Sequence, residues 1–155
     1  MIEITFQQVT IDDLDFAHDV TKANMESLVD KHYGGWDSEI FKSGFGSNLE
    51  YIIFADGEKI GFMSYSIEED RKLFLRNLQL VKEKQGQGFG TIVMEKLENV
   101  ALKSGCESLI LAAFPDNPAY RFYKGLEYLD TESRGTLIMM KKNLIEPRGS
   151  GDQSP

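Results

Sequence analysis

The stretch "LVKEKQGQGFGTIVMEKL", Leu80 to Leu97, carries glycines at positions 86, 88 and 90 between an apolar run and a helical repeat. Two familiar phosphate-binding loops are excluded by spacing, because one needs G-x-x-x-x-G-K-S/T and the other G-x-G-x-x-G. What remains is a strand that passes through a glycine loop directly into a helix. Phe89, Val93, Leu97 and Val100 recur on one helical face, Glu95, Glu98 and Lys103 lie elsewhere, and the pattern stops at Gly105. In that setting the backbone N–H groups of Gly86 to Thr91 can point into one concavity, to which the helix dipole adds positive potential. Such a cradle suits a diphosphate, and the missing side chains of the three glycines permit close approach. A glycine-rich turn without a ligand is the alternative reading.

Upstream of the loop, "LEYIIFADGEKIGFMSYSI" reads as strand, Asp-Gly turn, strand. "RKLFLRNLQLV" follows across a tight turn at Glu69 and Asp70, which makes three consecutive antiparallel strands. Further back, "IEITFQQV" alternates apolar and polar residues as a half-buried strand does. Thr10 and Asp13 then give a capping-box signature for a helix with apolar positions Leu14, Ala17, Val20, Met25 and Leu28, ending before "YGGW". A short second helix is expected from Trp36 to Phe41, after which "SGFGSN" breaks the chain. Downstream, "SLILAAF" is a continuous apolar run, as in a strand covered on both faces. Asn117 and Pro118 cap and open a helix reaching about Lys124. "EYLDTES" and "TLIMMKK" are strand-like on either side of Arg134 and Gly135. The order predicts one α/β domain over residues 1–145, with a mixed, mostly antiparallel sheet of about seven strands flanked by about four helices. The polar tail "EPRGSGDQSP", residues 146–155, is set apart as disordered or a cloning remnant.

With 155 residues, 41% of them hydrophobic, the chain can bury one core. Its 17 basic and 25 acidic side chains leave a net charge of −8, so its surface repels phosphate backbones and nucleic acid is not an expected partner. No apolar stretch approaches the ~20 residues of a membrane span and no signal-like start is present, so no membrane association is expected and the cytoplasm is the expected compartment. Cys106, the one cysteine, has no basic neighbour in sequence and reads as a packing residue. Two histidines and one cysteine do not assemble a metal site, and His18 and His32 read as surface or capping residues. The apolar "TLIMM" is open to two readings, the edge of a homodimer and a strand buried within the monomer.

Taken with its flanks, "LRNLQLVKEKQGQGFGTIVMEKL" resembles the acetyl-CoA signature of the GNAT N-acetyltransferase superfamily. The core of that signature, Q/R-x-x-G-x-G/A at the end of the fourth strand, is matched by Gln85, Gly88 and Gly90. "NPAYRFYKGLEY" is similar to the second signature, an Asn, a short helix, an aromatic-Tyr pair and a Gly-aromatic pair. The element order is also similar from about Ile2 to Asn143, and "HYGGWDSEIF" is similar to a Trp-Asp stretch of some bacterial members. The resemblance implies an enzyme that transfers acetyl from its cosubstrate acetyl-CoA to a primary amine, by direct attack in a ternary complex and without a metal. It implies a sheet splayed between strands four and five, with the pantetheine arm in the opening against the backbone of Leu78, Gln79 and Leu80. The diphosphate is then implied to sit on the loop of Gln85, Gly86, Gln87, Gly88, Phe89, Gly90 and Thr91. By the same resemblance the Leu80 amide polarises the thioester carbonyl, and Tyr123 contacts the cofactor and acts as general acid toward the departing thiolate. Asn117 is implied to cap its helix and touch the cofactor.

This chain departs from the family pattern in two places. Many members carry a Glu or Asp in place of Arg76, or near Leu111 and Ala112, and here there is none, so no general base is assigned. Glu39, Glu50, Glu68 and Glu127 are the carboxylates that remain, and proton loss through ordered water is the alternative. Arg76 either pairs with a carboxylate or phosphate of the acceptor or is a solvated strand residue. Trp36 either walls the acceptor pocket or packs inside. In the second departure, Glu127 and Tyr128 stand where the family has Gly and Phe, and Gly125, two residues early, predicts a helix that ends a turn sooner. The expected acceptor is a small-molecule amine. An acidic surface favours a cation and Arg76 favours an anionic group, and both stay open. Rival expectations are an acyl-CoA-binding module without catalysis and a nucleotide-binding regulator.

Overall fold

The computed structural model describes residues 1–145, and the tail set apart at 146–155 lies outside them. Strand β1 (Ile4–Gln8) buries Ile4 and exposes its polar partners, as its alternation requires. Thr10 and Asp13 form the expected capping box on a 3-10 turn, Ile11–Asp13, that feeds α1 (Leu14–Tyr33). Helix α1 ends at Gly34, whose φ of 89° only glycine adopts without strain. Helix α2 (Ser38–Gly44) starts two residues later than expected, because the Asp37 carboxylate accepts from the N–H groups of Glu39 and Ile40 and takes the cap.

Strands β2 (Leu49–Ala55) and β3 (Glu58–Glu68) turn at Asp56 and Gly57, both left-handed, as a two-residue hairpin demands. Strand β4 (Lys72–Leu80) follows a turn at Asp70 and Arg71, one residue beyond the expected pair, because these two carry the positive φ angles. Helix α3 (Phe89–Lys103), strand β5 (Ser108–Ala113), helix α4 (Pro118–Gly125) and strands β6 (Leu129–Arg134) and β7 (Leu137–Asn143) complete the order read from sequence. Helix α4 ends at Gly125, as expected, but Gly125 is not the left-handed residue that closes it. Glu127 holds the left-handed position at φ 75°, and the Tyr128 N–H returns to the Tyr123 carbonyl at 3.1 Å.

The sheet runs β1-β2-β3-β4-β5-β7-β6, and β4–β5 is its one parallel pair. Neighbouring residues of a strand serve opposite faces. Ile52 and Phe62 pack with Ala17 and Val20 of α1, while Ile53 and Met63 pack with Val93, Met94 and Leu97 of α3. Strand β7 pairs with β5 on one side and β6 on the other, so "TLIMM" offers no free edge and the argument for a homodimer through it falls.

One irregularity positions the site. Strands β4 and β5 pair only from Lys72 to Leu75 against Ser108 to Leu111. Tyr65 of β3 faces Leu75 and Ser64 faces Asn77, which leaves Arg76 as the extra residue of a bulge. Beyond it β4 follows β3 to Leu80 and β5 follows β7 to Ala113, and the two strands part.

Candidate active site

Between the parted strands opens a cleft of about 820 Å³, lined by β4 from Phe74 to Leu80, by Leu111 to Phe114, by the glycine loop and by α4. Its floor offers backbone groups. The Val81 N–H bonds the Ile60 carbonyl at 2.9 Å, and Leu80 faces Gly61 in the next register position. An antiparallel ladder alternates, so Leu78 and Leu80 turn their N–H and C=O groups toward the opening while Gln79 directs its own toward β3. Gln79 therefore lines the cleft through its side chain, and its expected backbone contact is corrected.

The glycine loop shows why its residues are what they are. Gly86 and Gly88 have φ of 72° and 91°, with nothing within 4 Å of where a Cβ would stand, so conformation and not crowding demands glycine there. At Gly90 crowding decides, since a Cβ would meet the Phe122 ring at 3.1 Å. Helix α3 begins without a side-chain cap, and among the described residues none of the six amides from Gly86 to Thr91 donates to a protein acceptor. Orphan amides at a helix start form an anion site. Gly86, Gly88, Gly90, Thr91 and Lys82 line the cleft, whereas the side chains of Gln87 and Phe89 turn away, Gln87 toward the Glu83 carbonyl and Phe89 beneath Lys84. Gln85 folds back and donates to the Leu80 carbonyl at 2.9 Å.

Tyr123 reaches the cleft from the α4 side. Its ring is buried edge-on to Tyr128, with centroids 5.9 Å apart. Every buried side-chain oxygen among the described residues has a hydrogen-bond partner, so the unpartnered Tyr123 hydroxyl is the part that meets the opening. Burial pushes its pKa well above the ordinary 10.0, which keeps the phenol protonated and a donor at any working pH. Asn117 accepts from the Ala119 N–H at 3.0 Å as the expected α4 cap, and it also lines the cleft.

Arg76 also lines the cleft, yet its guanidinium is engaged, donating to Ser66 at 2.9 Å and to Glu68 at 3.3 Å and lying 4.5 Å above the Phe74 ring. The Ser66 hydroxyl, and then Arg76, hold the Glu68 carboxyl below its ordinary value. Trp36 does not join the cleft. Its indole N–H donates to Ser38 at 3.0 Å and its ring meets His18 and Phe41 at the α1–α2 junction. His18 is buried there and bonded to Ser38 and Asp19, against the surface role expected of it. His32 stacks on Phe114 with ring centroids 4.4 Å apart and bonds Asp116, again more than a surface residue. Glu50 is buried but occupied by the Gly46 and Asn48 N–H groups, and none of Glu39, Glu50, Glu68 and Glu127 lines the cleft.

Asn24, Asn77 and Lys82 line the cleft without having been singled out in the sequence. A signal for Asn24 existed, since Ala17, Thr21, Asn24 and Leu28 form one helical stripe, and a polar residue on an inward stripe needs partners.

The Acetyltransferase (GNAT) family model matches residues 18–128. Thialysine N-epsilon-acetyltransferase of Mus musculus is 34% identical over 111 residues, 61% of this chain and 65% of that protein. The Bos taurus protein of the same name is 34% identical over 109 residues, 59% and 64% of the two chains. The match thus spans less than two thirds of these relatives. Among solved structures, PaiA N-acetyltransferase from Thermoplasma acidophilum in complex with coenzyme A superposes with a TM-score of 0.67 at 22% identity, covering 92% of this chain and 99% of that one. The ribosomal-protein-S18-alanine N-acetyltransferase from Escherichia coli gives 0.70 at 20% identity, over 100% and 99%. At such identities the structures establish the fold. Sheet order, parted strands and the family match agree, and the chain belongs to the acetyltransferase (GNAT) family.

Proposed function

We propose that this protein is an N-acetyltransferase that moves acetyl from acetyl-CoA to the primary amine of a small molecule, by direct attack while both substrates are bound. The observation that carries this reading is the parting of β4 from β5 beside six amides without protein acceptors. A diphosphate fits the orphan N–H groups of Gly86 to Thr91, with Lys82 beside them, and an amide-rich arm fits the open backbone of Leu78 and Leu80. The Leu80 N–H then stabilises negative charge developing on the thioester oxygen. As the C–N bond forms and the C–S bond breaks, the Tyr123 hydroxyl hydrogen-bonds the departing sulfur and passes it a proton, which the phenol regains through the water that takes up the amine proton. The amine proton leaves through water, since no carboxylate lines the cleft among the described residues.

Thialysine is the amine named in the mammalian relatives, which makes it the first acceptor to try. A reducing compartment such as the cytoplasm fits the lone thiol of Cys106. The test is calorimetry with coenzyme A, followed by an assay of acetyl-CoA with thialysine, lysine, polyamines and peptide N-termini. Coenzyme A binding with turnover of a small amine is expected. Absence of binding at millimolar coenzyme A defeats the proposal, and binding without turnover of any amine favours an acyl-CoA-binding module instead.

A further inference from the structure

Five side chains, four of them lining the cleft, form a one-way chain. Gln85 Nε2 donates to Asn24 Oδ1 at 3.2 Å and Asn24 Nδ2 to Gln79 Oε1 at 3.1 Å. Gln79 Nε2 donates in turn to Asn77 Oδ1 at 2.8 Å, and Asn77 Nδ2 to Thr21 Oγ1 at 3.1 Å. Every amide passes its donor in the same direction, so the dipoles align and each bond polarises the next. Reversing Asn24, Gln79 or Asn77 would set like groups against each other, which fixes their orientation. Asn24 is the junction, because its Nδ2 also donates to the Leu80 carbonyl at 2.9 Å, the same oxygen that Gln85 reaches.

That oxygen stands in a sensitive place. The N–H and C=O of Leu80 both face the opening, and a bare carbonyl there puts negative partial charge near the oxygen that the N–H is to stabilise. Two side-chain amides offset that charge, and with the Val81 N–H bonded to Ile60 they pin the Leu80–Val81 peptide from both sides.

We propose that Asn24 is a positioning residue for acyl transfer, holding the Leu80 carbonyl and the Gln85 amide from α1 so that the Leu80 N–H stays aimed into the cleft. The inference rests on reading the cleft as an acetyl-CoA site. Asn24→Asp keeps the volume but sets a carboxylate oxygen against two acceptors, the Leu80 carbonyl and Gln79 Oε1. Asn24→Ala removes the junction, and with it the Gln85 bond to Asn24 Oδ1, and leaves only the Gln85 bond to the Leu80 carbonyl in place.

Isotope-edited infrared spectroscopy of bound acetyl-CoA, carrying 13C at the thioester carbonyl, reads the polarisation directly and needs no acceptor. The carbonyl band should be lowered in frequency by the unmodified protein, less by Asn24→Ala and least by Asn24→Asp. Calorimetry should find acetyl-CoA affinities within about threefold of one another, while kcat with any amine turned over falls at least about tenfold at nearly constant KM. A band at one frequency in all three proteins overturns the role of Asn24 and leaves the transferase reading standing. Failure of the unmodified protein to bind acetyl-CoA defeats that reading first and this inference with it. Should Asn24→Asp not fold, Asn24→Ala against the unmodified protein decides the matter alone.

Discussion

Glu127 holds φ at 75° where α4 closes, and an L side chain in that conformation crowds its own backbone. Glu127→Gly should relieve about 1–2 kcal/mol of that strain and give back about 0.5–1 kcal/mol in unfolded-chain entropy, a net gain of up to about 1.5 kcal/mol. Urea unfolding of the two proteins measures it, and a loss of stability would contradict the assignment of strain. The same closure anchors the Tyr123 carbonyl through the Tyr128 N–H despite the departure from the family pattern. Tyr123→Phe removes only the oxygen that meets the cleft. If Tyr123 supplies the proton, kcat should fall about 10²-fold or more with coenzyme A affinity unchanged, and the residual rate should favour thioesters of more acidic thiols. Equal rates in the two proteins would return Tyr123 to packing alone.

Among the elements, strands and turns were legible in the sequence because their signals are local. Alternation in "IEITFQQV", Asp56 and Gly57 in the hairpin, and Asn117 before Pro118 each fix a conformation with neighbouring residues. The glycine loop was legible for the same reason. What escaped were pairings across the chain. Asn24 meets Leu80 and Gln85 over separations of 56 and 61 residues, and His18 meets Ser38 only after α1 turns back on α2. Another such tie joins the end of α1 to the β5–α4 connection, where Lys31 and His32 both bond Asp116. Hydrogen bonds from Lys31 first, then His32, lower the Asp116 pKa from 3.8 to about 2. A depressed carboxyl stabilises the fold fully above its unfolded value and loses that contribution as pH falls from 3.8 toward about 2. Asp116→Asn should therefore flatten the acid limb of stability over that interval and leave its shape near neutrality unchanged. Melting temperatures measured from pH 5 to 2 test this, and the exposed setting makes the effect modest and salt-sensitive.

At the scale of the molecule, a ligand that fills the cleft binds the folded chain and not the unfolded one. Coenzyme A at 100 times its dissociation constant should stabilise the protein by about 2.7 kcal/mol, raising Tm by roughly 5–10 °C. ATP or NAD raising Tm more than coenzyme A would favour a nucleotide-binding regulator. The four residue pairs that join β4 to β5 have a wider consequence. They divide the sheet into two parts, β1 to β4 and β5, β7 and β6, with α3 packed across both. Leu80 belongs to the first part and Tyr123, on the helix that follows β5, to the second. Leu75 and Leu111, the last pair before the strands diverge, thus set the spacing between the residues proposed as oxyanion donor and acid. Slack introduced there would misalign that proposed pair while both of its members stayed intact.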